Sequence, residues 1–157
     1  MTGLTQFVVF CLDAQRYALP LALVERIVRA VAVTSLPKTP RLVLGIIDVE
    51  GQVFPVLNVR RRFRLLDKEV SPADQFLIAK MAHRTVVLVI DEAEGVIECP
   101  SAEIVVADQI VPGLEQVQGV MKLDDGLVLI QDLEKFLSFD EAQALDQAME
   151  QEVTHGT

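Results

Sequence analysis

The chain is poor in the side chains that carry most enzyme chemistry. Its 157 residues include two histidines, His83 and His155, and two cysteines, Cys11 and Cys99. A catalytic centre needs a positioned nucleophile, acid, base or metal, and this set is too small for a zinc site. His83 falls in the turn between two apolar runs and His155 near the end of the chain, so both read as exposed turn or tail residues. The eight glycines are scattered and make no phosphate loop. No metal and no cofactor are therefore expected. The longest apolar runs, such as Val86-Val87-Leu88-Val89-Ile90, fall far short of the ~18 residues a spanning helix requires. Residues 1–6 lack a basic stretch followed by an apolar one. Direct membrane insertion is thus not expected, and the chain is placed in the cytoplasm. Cys11 and Cys99, each inside an apolar run, then read as buried free thiols rather than a disulfide. A thiol nucleophile paired with His83 is the remaining chemical alternative, with no third orienting group evident.

Aromatic residues make up 5% of the chain and the net charge is −9. Both argue against nucleic acid, whose binders carry wide basic fields and stacking rings. The charge is unevenly spread. Residues 1–70 hold 10 Lys+Arg against 6 Asp+Glu, and residues 71–157 hold 4 against 17. That asymmetry suggests two sides meeting different partners. The densest positive feature is Arg60-Arg61-Arg62-Phe63-Arg64. At strand spacing Arg60, Arg62 and Arg64 share one face and form a patch suited to an acidic protein surface. Asp91, Glu92 and Glu94 read as solvated turn carboxylates.

With 51% apolar residues the chain can bury a core. Short runs rich in Val, Ile and Leu recur between Pro, Gly and Asp, which is the rhythm of strands. Strands are expected over residues 7–12, 17–21, 42–49, 52–59, 76–81, 84–91, 117–123 and 127–132, with punctuation at Pro112-Gly113. Ser138 or Asp140 can cap a terminal helix over 138–150, leaving 151–157 as a tail. The two halves, roughly 6–70 and 71–137, resemble each other at an offset of about 70 residues. Leu44-Gly45-Ile46-Ile47-Asp48-Val49-Glu50-Gly51 aligns with the segment from Gln118-Gly119 to Gly126, and Val53–Phe63 aligns with Val128–Phe136. Two such small units would share a core, with strands open to exchange between them, and their seam is a natural groove.

Three stretches carry a family resemblance. They are Phe7–Leu12 with Tyr17-Ala18-Leu19-Pro20-Leu21 and Val24-Glu25-Arg26-Ile27, then Leu44 to Arg60, then Val86–Asp91 with Gly119–Leu137. Together they resemble the CheW-like chemotaxis coupling proteins over residues 6–140. The resemblance implies an all-β fold of two small five-stranded SH3-like β-barrel lobes on a shared core, with a C-terminal α-helix. It implies a non-catalytic adaptor that docks the cytoplasmic tip of chemoreceptors and the regulatory domain of a CheA-type histidine kinase, recruited to membrane-associated receptor arrays. A CheW-like module serving as kinase competitor or localisation factor is the alternative, and a small thiol-dependent enzyme a remote one. The receptor-binding groove implied lies at Val24, Arg26, Gly45 and Glu50. The family commonly has Glu where this chain has Arg26, and Arg where it has Glu50, so the two charges stand exchanged here. Val87 stands where the family often has Gly.

Overall fold

A computed structural model describes residues 4–106 and 117–155; the expected punctuation at Pro112-Gly113 lies outside them. The apolar runs form strands β1 (Leu4–Leu12), β2 (Gln15–Pro20), β3 (Val24–Arg29), β4 (Val43–Val49), β5 (Gln52–Leu57), β6 (Gln75–Lys80), β7 (Thr85–Ile90), β8 (Glu92–Pro100), β9 (Val105–Val106), β10 (Val117–Leu123) and β11 (Gly126–Gln131). The described residues also form two α-helices, α1 (Val59–Arg62) and α2 (Phe139–His155). No helix among the described residues is long and apolar enough to cross a membrane.

The strands make two mixed sheets, in the orders β8-β1-β2-β11-β10-β9 and β3-β6-β7-β5-β4. The two orders run in parallel. Each holds an antiparallel pair (β1–β2, β6–β7) joined in parallel to a hairpin from the other half of the chain (β11–β10, β5–β4). The third strands are exchanged: β3 follows β2 but pairs β6, while β8 follows β7 but pairs β1. The exchange carries each chain half into the other sheet.

The expected pair of five-stranded SH3-like barrels is corrected by this topology. The sheets have six and five strands, and neither closes on itself. The six-stranded sheet ends on β8 and on the two-residue β9, which do not pair with each other. In the five-stranded sheet the edges β3 and β4 come together without a ladder. Beyond Arg29 the chain leaves β3, with Ala30 N–H donating to the Asp74 carbonyl at 3.1 Å. It then touches β4 through the single bridge Thr34–Ile46, whose two hydrogen bonds are 2.9 and 2.8 Å. The sheet curls until its edges meet at one point, and one bridge is not a closed barrel.

The curl gives each sheet an inner core, and the opposite faces share a third. Phe7, Val9, Met121 and Ile130 pack inside the six-stranded sheet, and Ile47, Val56, Phe76 and Ile78 inside the other. Between the sheets lie Phe10, Leu12, Leu57, Leu88 and Phe136. The repeat meets itself there. Asn58 and Asp132 each end a hairpin and cap a short helical turn, accepting from Arg60 N and Glu134 N at 3.2 Å. Those turns deliver Phe63 and Phe136 to an edge-to-face contact at 5.6 Å, with Tyr17 stacked on Phe63 at 4.5 Å. Helix α2 seals the shared core with Leu145 and Ala148. It begins at a reciprocal cap: Glu141 N–H donates to Ser138 Oγ at 3.1 Å, and Ser138 N–H donates to Glu141 Oε1 at 2.8 Å.

Candidate protein-docking site

The residues expected to line a groove lie on β3, on β4 and in the β4–β5 turn of the five-stranded sheet. Val24 opens β3 opposite Ala79, and a bulge follows it, so that Arg26 pairs with Ile78 and faces solvent. Glu50 and Gly51 form the β4–β5 turn with φ of 51° and 88°, values proper to a tight hairpin, and Gly51 N–H donates to Asp48 Oδ1 at 2.8 Å. The turn presents Glu50 to Arg26 across the gap, with Arg26 Nη1 3.3 Å from Glu50 Oε1. The side chains remain 44% and 78% exposed, so the pair is open to a partner. Gly45 contributes space rather than a contact. A Cβ there would lie 2.1 Å from the Thr34 carbonyl oxygen, and its φ of 154° suits glycine. Gly119 plays the same part in the other sheet, where a Cβ would lie 2.7 Å from Ile104 Cγ2 and 3.0 Å from the Val105 carbonyl oxygen. The structure thus brings Arg26 and Glu50 into contact, whereas Gly45 lies at the Thr34 crossing within β4 and Val24 stands half-buried two residues from Arg26 on β3.

The basic run behaves differently from its strand-spacing expectation. Asn58 caps it into α1, so alternate arginines do not share a face. Arg60 is buried and reaches Asp13 Oδ1 at 2.8 Å and Asp91 Oδ1 at 2.7 Å. Arg62 Nη2 holds Glu141 at 2.6 and 2.8 Å, tying α1 to the first turn of α2. Arg64 alone of the three stays exposed, at φ 61°. Two of the three charges are thereby spent inside the molecule.

The same network corrects the reading of Asp91 as a solvated carboxylate. Asp91 sits at the junction of β7 and β8, accepts Asp13 N–H at 2.9 Å as well as Arg60, and lies 3.9 Å from Lys68 Nζ. Burial opposes its ionisation, but the Asp13 amide, the Arg60 hydrogen bond and the charges of Arg60 and Lys68 outweigh it and hold its carboxyl below the usual range. Nothing in residue spacing signalled this node, because Arg60 and Asp91 stand 31 residues apart in sequence. Glu92 and Glu94 are exposed, as expected.

The thiols sit in no activating environment. Burial pushes the Cys11 thiol up, and the carboxylates of Glu94, Asp91 and Glu92 add to the shift; burial and then Glu103 do the same for Cys99. Their strands pair so that Cys11 faces Glu92 and Cys99 faces Thr5, which sets them at opposite ends of the β1–β8 ladder. A raised thiol holds less thiolate at neutral pH, and thiolate is the nucleophile. Both cysteines are expected to alkylate with iodoacetamide more slowly than free cysteine in the folded protein, read by mass spectrometry over time. Labelling as fast as free cysteine at either position would contradict the assigned environments.

Comparison with known proteins agrees with this architecture. A family model, the CheW-like domain, matches residues 6–141. The chain is 27% identical over 136 residues to the chemotaxis protein CheW of Helicobacter pylori, covering 86% of this chain and 82% of that one. It is 25% identical over 146 residues to CheW of Treponema pallidum, covering 89% and 86%. The crystal structure of the scaffolding protein TtCheW from Thermoanaerobacter tengcongensis superposes with a TM-score of 0.79 at 25% identity, covering 87% of this chain and 94% of that one. The chain belongs to the CheW-like domain family. Its function is that of an adaptor, coupling chemoreceptors to a CheA-type kinase in chemotaxis and catalysing nothing.

Proposed function

We propose that the cytoplasmic tip of a chemoreceptor docks on the rim formed by Val24, Arg26, Gly45 and Glu50, while the regulatory domain of the kinase engages a separate surface. Docking to both recruits the protein to membrane-associated receptor arrays. One observation supports this assignment above others: the exposed Arg26–Glu50 pair, 3.3 Å apart, links β3 to the β4–β5 turn across the open side of the five-stranded sheet. Such an exposed pair contributes only about 0–1 kcal/mol to stability. Its value then lies in orienting two charges and selecting partners of the complementary pattern. The polarity is the reverse of the one the family commonly carries, so this chain is matched to receptors that differ from the usual ones at the facing positions.

The double variant Arg26→Glu/Glu50→Arg tests the assignment. It keeps the pair and reverses its direction, so the melting temperature is expected to stay within about 4 °C of wild type. Its preference between cognate receptor tips and tips from a system of the usual polarity is expected to shift towards the latter, measured by calorimetry on soluble receptor fragments. Unchanged preference in a folded variant would remove these residues from the receptor surface.

A further inference from the structure

A second polar cleft lies away from that rim, between the segment entering β4, α1 and the start of α2. It encloses about 460 Å³ and is lined by Arg41, Arg61 and Arg62 with Asp67 and Glu141. The carboxylates are already committed. Asp67 accepts from Asn58 Nδ2 at 2.6 Å and from Arg61 Nε and Nη2 at 3.3 and 2.9 Å. Glu141 accepts from Arg62 and from the Ser138 amide. The two acids therefore act as braces, holding two guanidinium groups in fixed orientation.

The positive groups, by contrast, retain capacity. Arg41 is exposed and makes no ion pair among the described residues, and only its carbonyl is used, by Arg61 Nη1. Arg62 Nε is buried and donates to no atom among the described residues. Three guanidinium groups against two carboxylates leave the cleft net positive on a chain of net charge −9. Fixed arginine forks suit carboxylates.

We propose that this cleft is a docking site for an acidic segment of a partner protein, which places a carboxylate against the exposed guanidinium of Arg41. The attraction is local, since the molecule as a whole repels acidic chains. The site is separate from the receptor rim, so its test stands apart from that assignment.

A fluorescent oligoglutamate peptide is the probe, titrated by anisotropy at low salt into the full-length protein, with Arg41→Glu and Arg64→Glu as matched variants. Both change net charge equally and both replace an exposed side chain, but only Arg41 lines the cleft. Saturable binding to wild type is expected, weakened about tenfold or more by Arg41→Glu, the loss of one charge-assisted hydrogen bond, and little changed by Arg64→Glu. Circular dichroism shows that each variant is folded. Equal weakening by both variants would reduce the effect to general charge and overturn the proposal. Absence of binding to wild type would also overturn it, as would competition by inorganic phosphate at concentrations comparable to the peptide, which would make the cleft a small-anion site only.

Discussion

Replacing Gly45 with alanine is expected to be the most damaging small change available in this fold. The added Cβ would sit 2.1 Å from the Thr34 carbonyl oxygen and 2.8 Å from its carbonyl carbon, and backbone atoms cannot rotate aside. The bridge between Thr34 and Ile46 must open, with loss of its two hydrogen bonds of 2.9 and 2.8 Å. The left-handed φ adds strain for any residue with a side chain. Together these are expected to cost ~3–5 kcal/mol, a large share of the roughly 5–15 kcal/mol that holds a domain together. In thermal unfolding this corresponds to a fall in midpoint of roughly 6 °C or more. Gly51→Ala is the control, because a Cβ there meets nothing within 4 Å and only its φ of 88° is strained. A variant at 45 no worse than the one at 51 would contradict the close crossing.

Removing the buried guanidinium is the second large effect. Arg60→Met keeps the aliphatic stem but leaves Asp13 and Asp91 facing its place. Breaking such a pair is worse than never having had it, because the remaining carboxylate is partly buried without its partner. With Asp13 48% and Asp91 28% exposed, solvent relieves part of the penalty, so ~2–3 kcal/mol is expected at neutral pH by urea unfolding.

This penalty carries a pH signature whose sign follows from Asp91. Its carboxyl is depressed in the folded protein, so the stability it contributes is present above the ordinary aspartate value of ~3.9 and is lost as pH falls from there towards the lower folded value. In that window the unfolded chain binds more protons than the native one. Without Arg60, burial meets less opposition and Asp91 takes up its proton at higher pH. The gap between wild type and Arg60→Met is thus expected to narrow as pH drops below ~4. A gap constant from neutral to acid pH would show that the network is not held by charge.

Elements that depend on local pattern were legible in the sequence. Alternating apolar runs marked the β4–β5, β6–β7 and β10–β11 hairpins, and the repeat aligned Gly45 with Gly119, whose close crossings only the structure shows. The terminal helix was legible from Ser138 and its acidic first turn, although its described length reaches His155. What depends on distant pairing was not. Whether a curled sheet closes is decided by its edges, and β3 and β4 are separated by the irregular stretch that carries Pro37 and Pro40. The exchange of β3 and β8 leaves no mark on periodicity, since either strand would show the same alternation beside its own half. The basic run misled because spacing was read as strand, while a single side chain, Asn58, turns it into a helical turn and sends Arg60 inward. Arg26 and Glu50 were legible as an unusual pair only through the family pattern; their contact depends on the curl.

We propose one chain that joins a receptor to a kinase through separate surfaces, with the receptor held at the Arg26–Glu50 rim. Co-sedimentation measures this directly. Membranes bearing the cognate receptor are pelleted with the kinase, in the presence of wild type or of Arg26→Glu/Glu50→Arg. Wild type is expected to pellet with the membranes and to carry the kinase down with it. The double variant is expected to lose recruitment to those membranes while still binding kinase in solution. Kinase sedimentation indifferent to the added protein, or equal recruitment of wild type and the variant, would contradict it.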